Sequence, residues 1–371
     1  MLYLHIPYCH RKCSYCGFYS VACNHERDSY VDALCFELAS RRVTAPLHTI
    51  YFGGGTPSLL TPVQLARIID VIRSNYNLSE IKEVTIEANP ENLTPKYLFE
   101  LAGLNFFNRI SIGVQSFSDK MLRMLNRVHS SEQAFLAVKD AAEAGFDNIS
   151  VDLMMGLPGQ HYADIEHSLD SIESLNGLVK HLSFYEYTVE PRTILEQQLK
   201  MKRCFMPDED ELASQYDLMI RWCKDHGFEQ YEVSNFCRSG YRSLHNSRYW
   251  NLTPYIGIGA AAHSYDGISR RWNVADVTRY VEGAKEGMIP FEKELLSHED
   301  SFNEYMMVAL RTKDGVSKKM LSERFCDYEE YFERAIKPFQ KAELIEETPD
   351  SYRPTPKGLL HADGIAQKLF L

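Results

Sequence analysis

Short runs of β-branched and aromatic residues recur along the first half of the chain. Most are followed by a stretch with apolar residues at helical spacing. The runs are Leu2–Ile6, Thr49–Phe52, Glu83–Glu87, Arg109–Gly113, Ile149–Leu153 and His181–Tyr187; the helical stretches include Asp28–Arg42, Pro62–Tyr76, Ser131–Ala144 and Ala163–Leu175. Such alternation predicts parallel strands joined by crossover helices. Local signals agree. Thr61-Pro-Val-Gln64 reads as a capping box with proline at the first helical position, and Gly145 stops the helix ending at Ala144. Glu87, Gln115 and Asp152 fall at or near the carboxyl ends of their strands. Barrel enzymes build their sites there, so the pattern predicts an α/β fold, a partial (β/α)6 TIM-like barrel rather than a doubly wound sheet.

After the sixth run the pattern changes. A helix over Asp208–Asp225, closed by Gly227, leads to a strand in Tyr231-Glu-Val-Ser-Asn-Phe. The expected units are a barrel over 1–235, an aromatic and glycine-rich segment over the barrel mouth at 236–289, and a C-terminal unit at 290–371. In that last unit, helices over Ser301–Leu310, Ser317–Phe325 and Tyr328–Lys341 precede a hairpin-like Leu344–Pro354, which suggests a winged-helix-like module. It carries 12 Lys or Arg against 16 Asp or Glu, whereas a nucleic-acid reader should be basic. A docking or packing role is expected instead.

Charge and composition narrow the field further. The 371 residues exceed what one compact core usually holds. A net charge of −11 argues against general nucleic-acid or anionic-membrane binding. No apolar run is long enough to span a bilayer, and no secretory signal opens the chain. With nine cysteines and no targeting segment, a reducing cytoplasm is expected. Six of the nine, Cys23, Cys35, Cys204, Cys223, Cys237 and Cys326, show no metal spacing and read as single thiols.

The other three lie together in His5-Ile-Pro-Tyr-Cys-His-Arg-Lys-Cys-Ser-Tyr-Cys-Gly-Phe. Cys9, Cys13 and Cys16 are spaced C-x3-C-x2-C. Three thiolates on one loop can hold three irons of a [4Fe–4S] cluster and leave the fourth open, whereas electron-carrying clusters usually have four cysteine ligands. Arg11 and Lys12 between them favour the thiolate. The alternatives are a zinc site, which would want a second ligand pair that is missing here, or three incidental thiols. The loop resembles that of the radical S-adenosylmethionine (SAM) superfamily, in which the exchangeable ligand on the open iron is the methionine end of SAM.

SAM asks for particular partners. Gly53-Gly-Gly-Thr-Pro57 lets backbone approach a ligand closely. Glu87 can meet the amino group, Gln115 and Asp152 suit hydroxyls, and Arg127 can grip the carboxylate in a fork. Gly156-Leu-Pro158 offers an apolar turn for adenine. Taken in order, Tyr3-Leu-His-Ile-Pro, the cysteine loop, Gly-Gly-Gly-Thr-Pro-Ser, Ile-Glu-Ala-Asn-Pro, Ile-Ser-Ile-Gly-Val-Gln-Ser-Phe and Asp-Leu-Met-Met-Gly-Leu-Pro-Gly-Gln resemble the coproporphyrinogen III oxidase-like branch of that superfamily. The resemblance covers the first two-thirds of the chain. It implies cluster ligation by Cys9, Cys13 and Cys16, and SAM contacts at Tyr3, Gly54, Gly55, Thr56, Glu87, Gln115, Arg127 and Asp152.

That branch holds oxygen-independent coproporphyrinogen III oxidases and HemW-type haem chaperones. The oxidases carry a further cysteine where this chain has Phe18, and a long extension before the first strand. His245-Asn-Ser-Arg-Tyr-Trp250, followed by Tyr255-Ile-Gly-Ile-Gly259 and Ala262-His263, resembles the HNxxYW region of the haem-binding side. The resemblance implies a haem chaperone, with His245 as candidate axial ligand ahead of His263, Tyr249 and Trp250 as flat faces, and Arg248 or Arg242 pairing a propionate. His5 reads as a structural or cluster-side residue. The implied partners are haem and an acceptor haemoprotein, which could bring peripheral contact with a membrane. The competing expectation is the oxidase itself.

Overall fold

The computed structural model describes residues 1–22 and 27–371; Cys23 lies outside them. Six parallel strands follow one another in sequence order: Leu2–Ile6, Thr49–Gly54, Glu83–Ala88, Arg109–Gln115, Asn148–Met155 and Val179–Glu186. The sheet has nine strands. Ile256–Ile258 adds in parallel beside the first, while Asn235–Cys237 and Glu229–Gln230 add antiparallel beyond the sixth. Of the strand expected over Tyr231–Phe236, Asn235 and Phe236 fall in the observed strand Asn235–Cys237 that pairs with the sixth barrel strand. Upstream, Glu232 and Val233 instead bond toward Thr312 and Arg311 of the C-terminal unit.

The barrel strands alternate strictly, and the alternation decides which way each side chain points. Val84, Ile86, Ile110, Ile112 and Val151 face outward, fully or nearly fully buried under the helices. Each contributes roughly 1.5–3 kcal/mol. Inward positions are polar: Thr49, Tyr51, Glu83, Thr85, Glu87, Arg109, Ser111, Asp152 and His181. They satisfy one another. Ser111 donates to Asp152 at 3.3 Å, and His181 joins Ser150 at 2.8 Å and the Tyr231 hydroxyl at 2.7 Å. The main apolar core is therefore a shell around a polar lumen.

The outer helices end as the sequence predicts. Thr61 and Gln64 form the capping box, with bonds of 3.2 and 3.0 Å, on Pro62–Asn75. Asp208 caps Glu209–Asp225, and Gly145 and Gly227 take the left-handed backbone that follows a helix. The first helix, Arg27–Ser40, carries a buried carboxylate, Glu37. It accepts from Gly259 N (2.9 Å), Asn273 Nδ2 (2.8 Å), Tyr280 Oη (2.6 Å) and Arg41 Nη1 (3.2 Å). One side chain thus fastens residues 257–280 to the barrel.

A second core is built from Phe302, Met306, Leu321, Phe325, Phe332, Ile336 and Ile365. Its helices precede a hairpin, Ile345–Glu347 with Ser351–Pro354, whose second strand also pairs with Val316–Ser317. Leu252 and Tyr265 belong to this core, so the unit recruits residues from before 290.

Candidate cofactor site and the family

At the carboxyl ends of the strands lies a cavity of about 580 Å³. Cys9, Cys13 and Cys16 line it together with Gly54, Gly55, Thr56, Glu87, Gln115, Arg127 and Asp152. Of these ten residues, three carry thiols, five carry hydrogen-bonding or charged side chains, and two are glycines.

The cysteine loop is held by its neighbours rather than by itself. Ser14 N donates to Leu125 O at 3.1 Å, Ser14 Oγ to Met124 O at 2.9 Å, and Leu195 N to Ser14 O at 2.9 Å. Asn126, in the left-handed region at φ 59°, donates to Lys12 O at 2.9 Å. Polar groups approach the sulfurs: Arg127 Nη1 lies 3.5 Å from Cys13 Sγ, and Thr56 Oγ1 3.7 Å from Cys9 Sγ. Burial pushes the Cys9 and Cys16 thiols up, so iron uptake must displace their protons. Among the described residues no three ligating side chains converge tightly enough for one metal ion. The shared cavity instead has room for a larger group. Three thiols, a guanidinium beside one of them and an open wall suit a cluster with one uncommitted iron, and Cys9, Cys13 and Cys16 would hold it.

The opposite wall suits the polar parts of SAM. Gly54 has φ 112°, and a Cβ there would lie 2.7 Å from the His5 ring; a Cβ on Gly55 would lie 2.7 Å from Tyr8 O. Both positions need glycine for the turn to pass this close to the cysteine loop. Glu87 is fixed by the Tyr51 hydroxyl at 2.7 Å and Gly54 N at 3.1 Å. Burial, partly offset by the Tyr51 bond, raises it to about 7. Burial also raises Asp152. A raised carboxyl is protonated below its pKa and cannot counter an ammonium. SAM is therefore expected to bind more tightly as pH rises from about 6 to about 8, by up to about tenfold per unit below the midpoint. Equilibrium dialysis across that range checks it, and Glu87→Gln should flatten the profile.

Several expected contacts are placed differently. Tyr3 points into the lumen beneath the cavity, its hydroxyl 3.1 Å from His5 Nδ1, and does not line the cavity. Arg127 is committed to Asn89 Oδ1 at 2.8 Å and to Gly113 O, so it braces the wall as well as facing the space. The Gly156-Leu-Pro turn is not at the cavity surface: Leu157 is buried with Met121, Leu125 and Leu195 in a separate apolar cluster. The adjoining wall is made by Met154, Tyr185 and Tyr187. Asn89 joins Arg127 to Thr56, donating to Thr56 Oγ1 at 3.1 Å. It closes the Ile-Glu-Ala-Asn motif, which was the available signal.

The largest correction concerns His245. The HNxxYW segment does not cover the mouth. His245 lies at the opposite, amino-terminal end of the strands, fully buried, with Nδ1 2.8 Å from Thr49 Oγ1 and Nε2 3.1 Å from Tyr249 Oη. Its backbone N donates to Glu83 at 2.9 Å, and Leu244 N does so at 2.8 Å. Glu83 thereby takes up the first two N–H groups of the helix Leu244–Trp250, whose N-cap is Ser243, and this helix plugs the lumen from below. Burial lowers His245 to about 3, so it is neutral, and neither ring nitrogen is open to iron. Trp250 stacks toward Arg311 of the C-terminal unit at 5.9 Å. His263 is exposed and lies over Trp272. His5 has the structural role expected of it, with its Nε2 on Tyr19 O at 3.2 Å.

Residues 3–172 match the family described as the radical SAM superfamily, and residues 296–361 match the HemN C-terminal domain. The protein named heme chaperone HemW in Bacillus subtilis (strain 168) is 37% identical over 331 residues, covering 87% of this chain and 86% of that one. The chain belongs to the HemW family. Its HemW relative in Escherichia coli (strain K12) is 38% identical over 269 residues, 71% of this chain and 69% of that one. The structure of coproporphyrinogen III oxidase (HemN) from Escherichia coli superposes with a TM-score of 0.84, at 24% identity, over 99% of this chain and 89% of that one. That likeness shows a shared fold. The radical SAM core of a HemW protein carries a [4Fe–4S] cluster and SAM, and the cavity described above has the residues for both.

Proposed function

We propose that this chain carries haem to an acceptor haemoprotein and uses its cluster and SAM to order the barrel mouth. The observation that carries the reading is sequence similarity to heme chaperone HemW proteins over most of the chain, joined to a mouth whose thiols and polar wall fit the cofactors. When bound, the cluster supplies a Lewis-acidic iron for the methionine end of SAM. The chain's own residues position the rest. Glu87 receives an ammonium, Arg127 a carboxylate, and Gln115 and Asp152 hydroxyls, while Gly54 and Gly55 admit the ligand backbone-close.

The oxidase reading shares the fold but lacks support at Phe18, the position where oxidases carry a cysteine. Here a phenyl ring stands 74% exposed at the cavity rim. Anaerobically reconstituted protein, given SAM, reductant and coproporphyrinogen III, is expected to yield no multiple-turnover decarboxylation and to bind haem stoichiometrically. Sustained tetrapyrrole product would overturn the carrier reading.

His245 is assigned to the barrel plug rather than to iron. His245→Ala leaves the Thr49 and Tyr249 hydroxyls unpaired, and should cost about 1–3 kcal/mol. Haem stoichiometry should be unchanged in the folded fraction; loss of haem at wild-type stability would restore His245 as the ligand.

A further inference from the structure

The small antiparallel sheet of His263–Tyr265, Ser269–Asn273 and Phe291–Leu295 ends on a strand that pairs on one side alone among the described residues. That strand, Phe291–Leu295, has five residues, and every one of them is exposed. Each other terminal strand among the described residues has two or three, a length that blunts an edge. The pairing fixes which backbone groups are free. Pro290 O accepts from Val274 N at 3.0 Å and Leu296 N donates to Ile268 O at 3.1 Å, so the even-numbered residues between them turn their backbone groups inward. The N–H and C=O groups of Phe291, Lys293 and Leu295 therefore point outward from the sheet.

The side chains alternate as well. Phe291, Lys293 and Leu295 share one face, Glu292 and Glu294 the other. Leu295 is 74% exposed and Phe291 46%, and Ile268, beside the end of the strand, is 69% exposed. The Arg271 guanidinium lies 3.7 Å over one face of the Phe291 ring and holds it in place. Edges built only to avoid association are short, bulged or charged. This one flanks its charges with large apolar groups. The charges themselves select a partner. Arg270, opposite Glu294, is taken by Glu304 at 2.8 Å, and neither Glu292 nor Glu294 has an ion pair among the described residues. Lys293 has Asp266 at 3.8 Å. A second copy pairing antiparallel in full register would set Glu292 against Glu294 twice and Lys293 against itself. Like charges directly opposite are destabilising.

We propose that this edge takes up an extended segment of a partner protein as a fourth strand. The segment would carry apolar residues beside Phe291 and Leu295, basic ones opposite Glu292 and Glu294, and an acidic one opposite Lys293. That pattern reads the same in both directions, so it fits parallel or antiparallel addition. The inference goes beyond the carrier reading and does not depend on it.

The test is fluorescence polarisation of a labelled peptide, Leu-Lys-Glu-Lys-Leu between Gly-Ser flanks, titrated with the full chain at low salt and without haem. Wild type should bind it at least about tenfold better than the charge-reversed Leu-Glu-Lys-Glu-Leu. Glu292→Lys/Glu294→Lys should invert that preference. Lys293→Pro removes an outward N–H that the sheet does not use, and should weaken binding at least about tenfold at unchanged melting temperature. Equal binding of the two peptides, or no saturable binding, overturns the proposal. Wild-type affinity in a stably folded Lys293→Pro chain overturns it too, because the backbone edge would then take no part. A wild-type dimer that Lys293→Pro dissolves gives the edge to a second copy and overturns it likewise. If Lys293→Pro melts early, the two peptides on wild type and on Glu292→Lys/Glu294→Lys decide. None of these outcomes involves haem, so the carrier reading stands or falls separately.

Discussion

Protein in which Cys9, Cys13 and Cys16 are all changed to serine is expected to take up no iron or acid-labile sulfide under anaerobic reconstitution. The absorbance near ~400 nm that thiolate-bound iron gives should be lost with it. The loop would survive the change, because its anchors are Ser14, Asn126 and the backbone of Met124 and Leu125, none of which is a ligand. The melting temperature of the apo chain should therefore be close to wild type, while SAM binding falls with the cluster. Iron analysis, visible absorbance and a thermal melt on one preparation make the test. A triple variant that still reconstitutes at wild-type stoichiometry would remove the cluster from this loop.

The largest stability effect is expected at Glu37. Glu37→Ala takes an acceptor from four donors inside the contact between the first helix and residues 257–280; Gly259 N and the Tyr280 hydroxyl are left unpaired, while Arg41 keeps Gly257 O and Ser264 and Asn273 keeps Gly259 O. Removing one partner of such a buried charged network costs about 3–5 kcal/mol. Glu37→Gln keeps an acceptor oxygen and should lose less. Urea unfolding of the three proteins separates these outcomes, and an alanine variant within about 1 kcal/mol of wild type would show that the network is not what joins the two parts.

The barrel was legible because its strands and helices alternate at lengths that periodicity detects, and because capping residues such as Thr61, Gln64, Asp208 and Gly145 act locally. That Gly54, Glu87, Gln115 and Asp152 share one cavity was legible because they sit where strand ends must converge. What sequence spacing could not supply was which end of the barrel a later segment returns to. His245 follows Asn235–Cys237, an antiparallel strand that reverses the chain and delivers the next helix to the floor. Nothing in His-Asn-Ser-Arg-Tyr-Trp encodes that reversal. Its aromatic and basic character reads equally well as a ligand pocket or as a plug. The Gly156-Leu-Pro turn failed for a related reason: an apolar turn suits adenine, but it suits burial under Leu195 and Leu125 as well.

Because the side chains that hold this barrel together by apolar contact face away from its axis, those facing the axis answer to one another through hydrogen bonds instead. A substitution among them removes a partner rather than opening a void, so its cost is set by whether the remaining group finds another donor or acceptor.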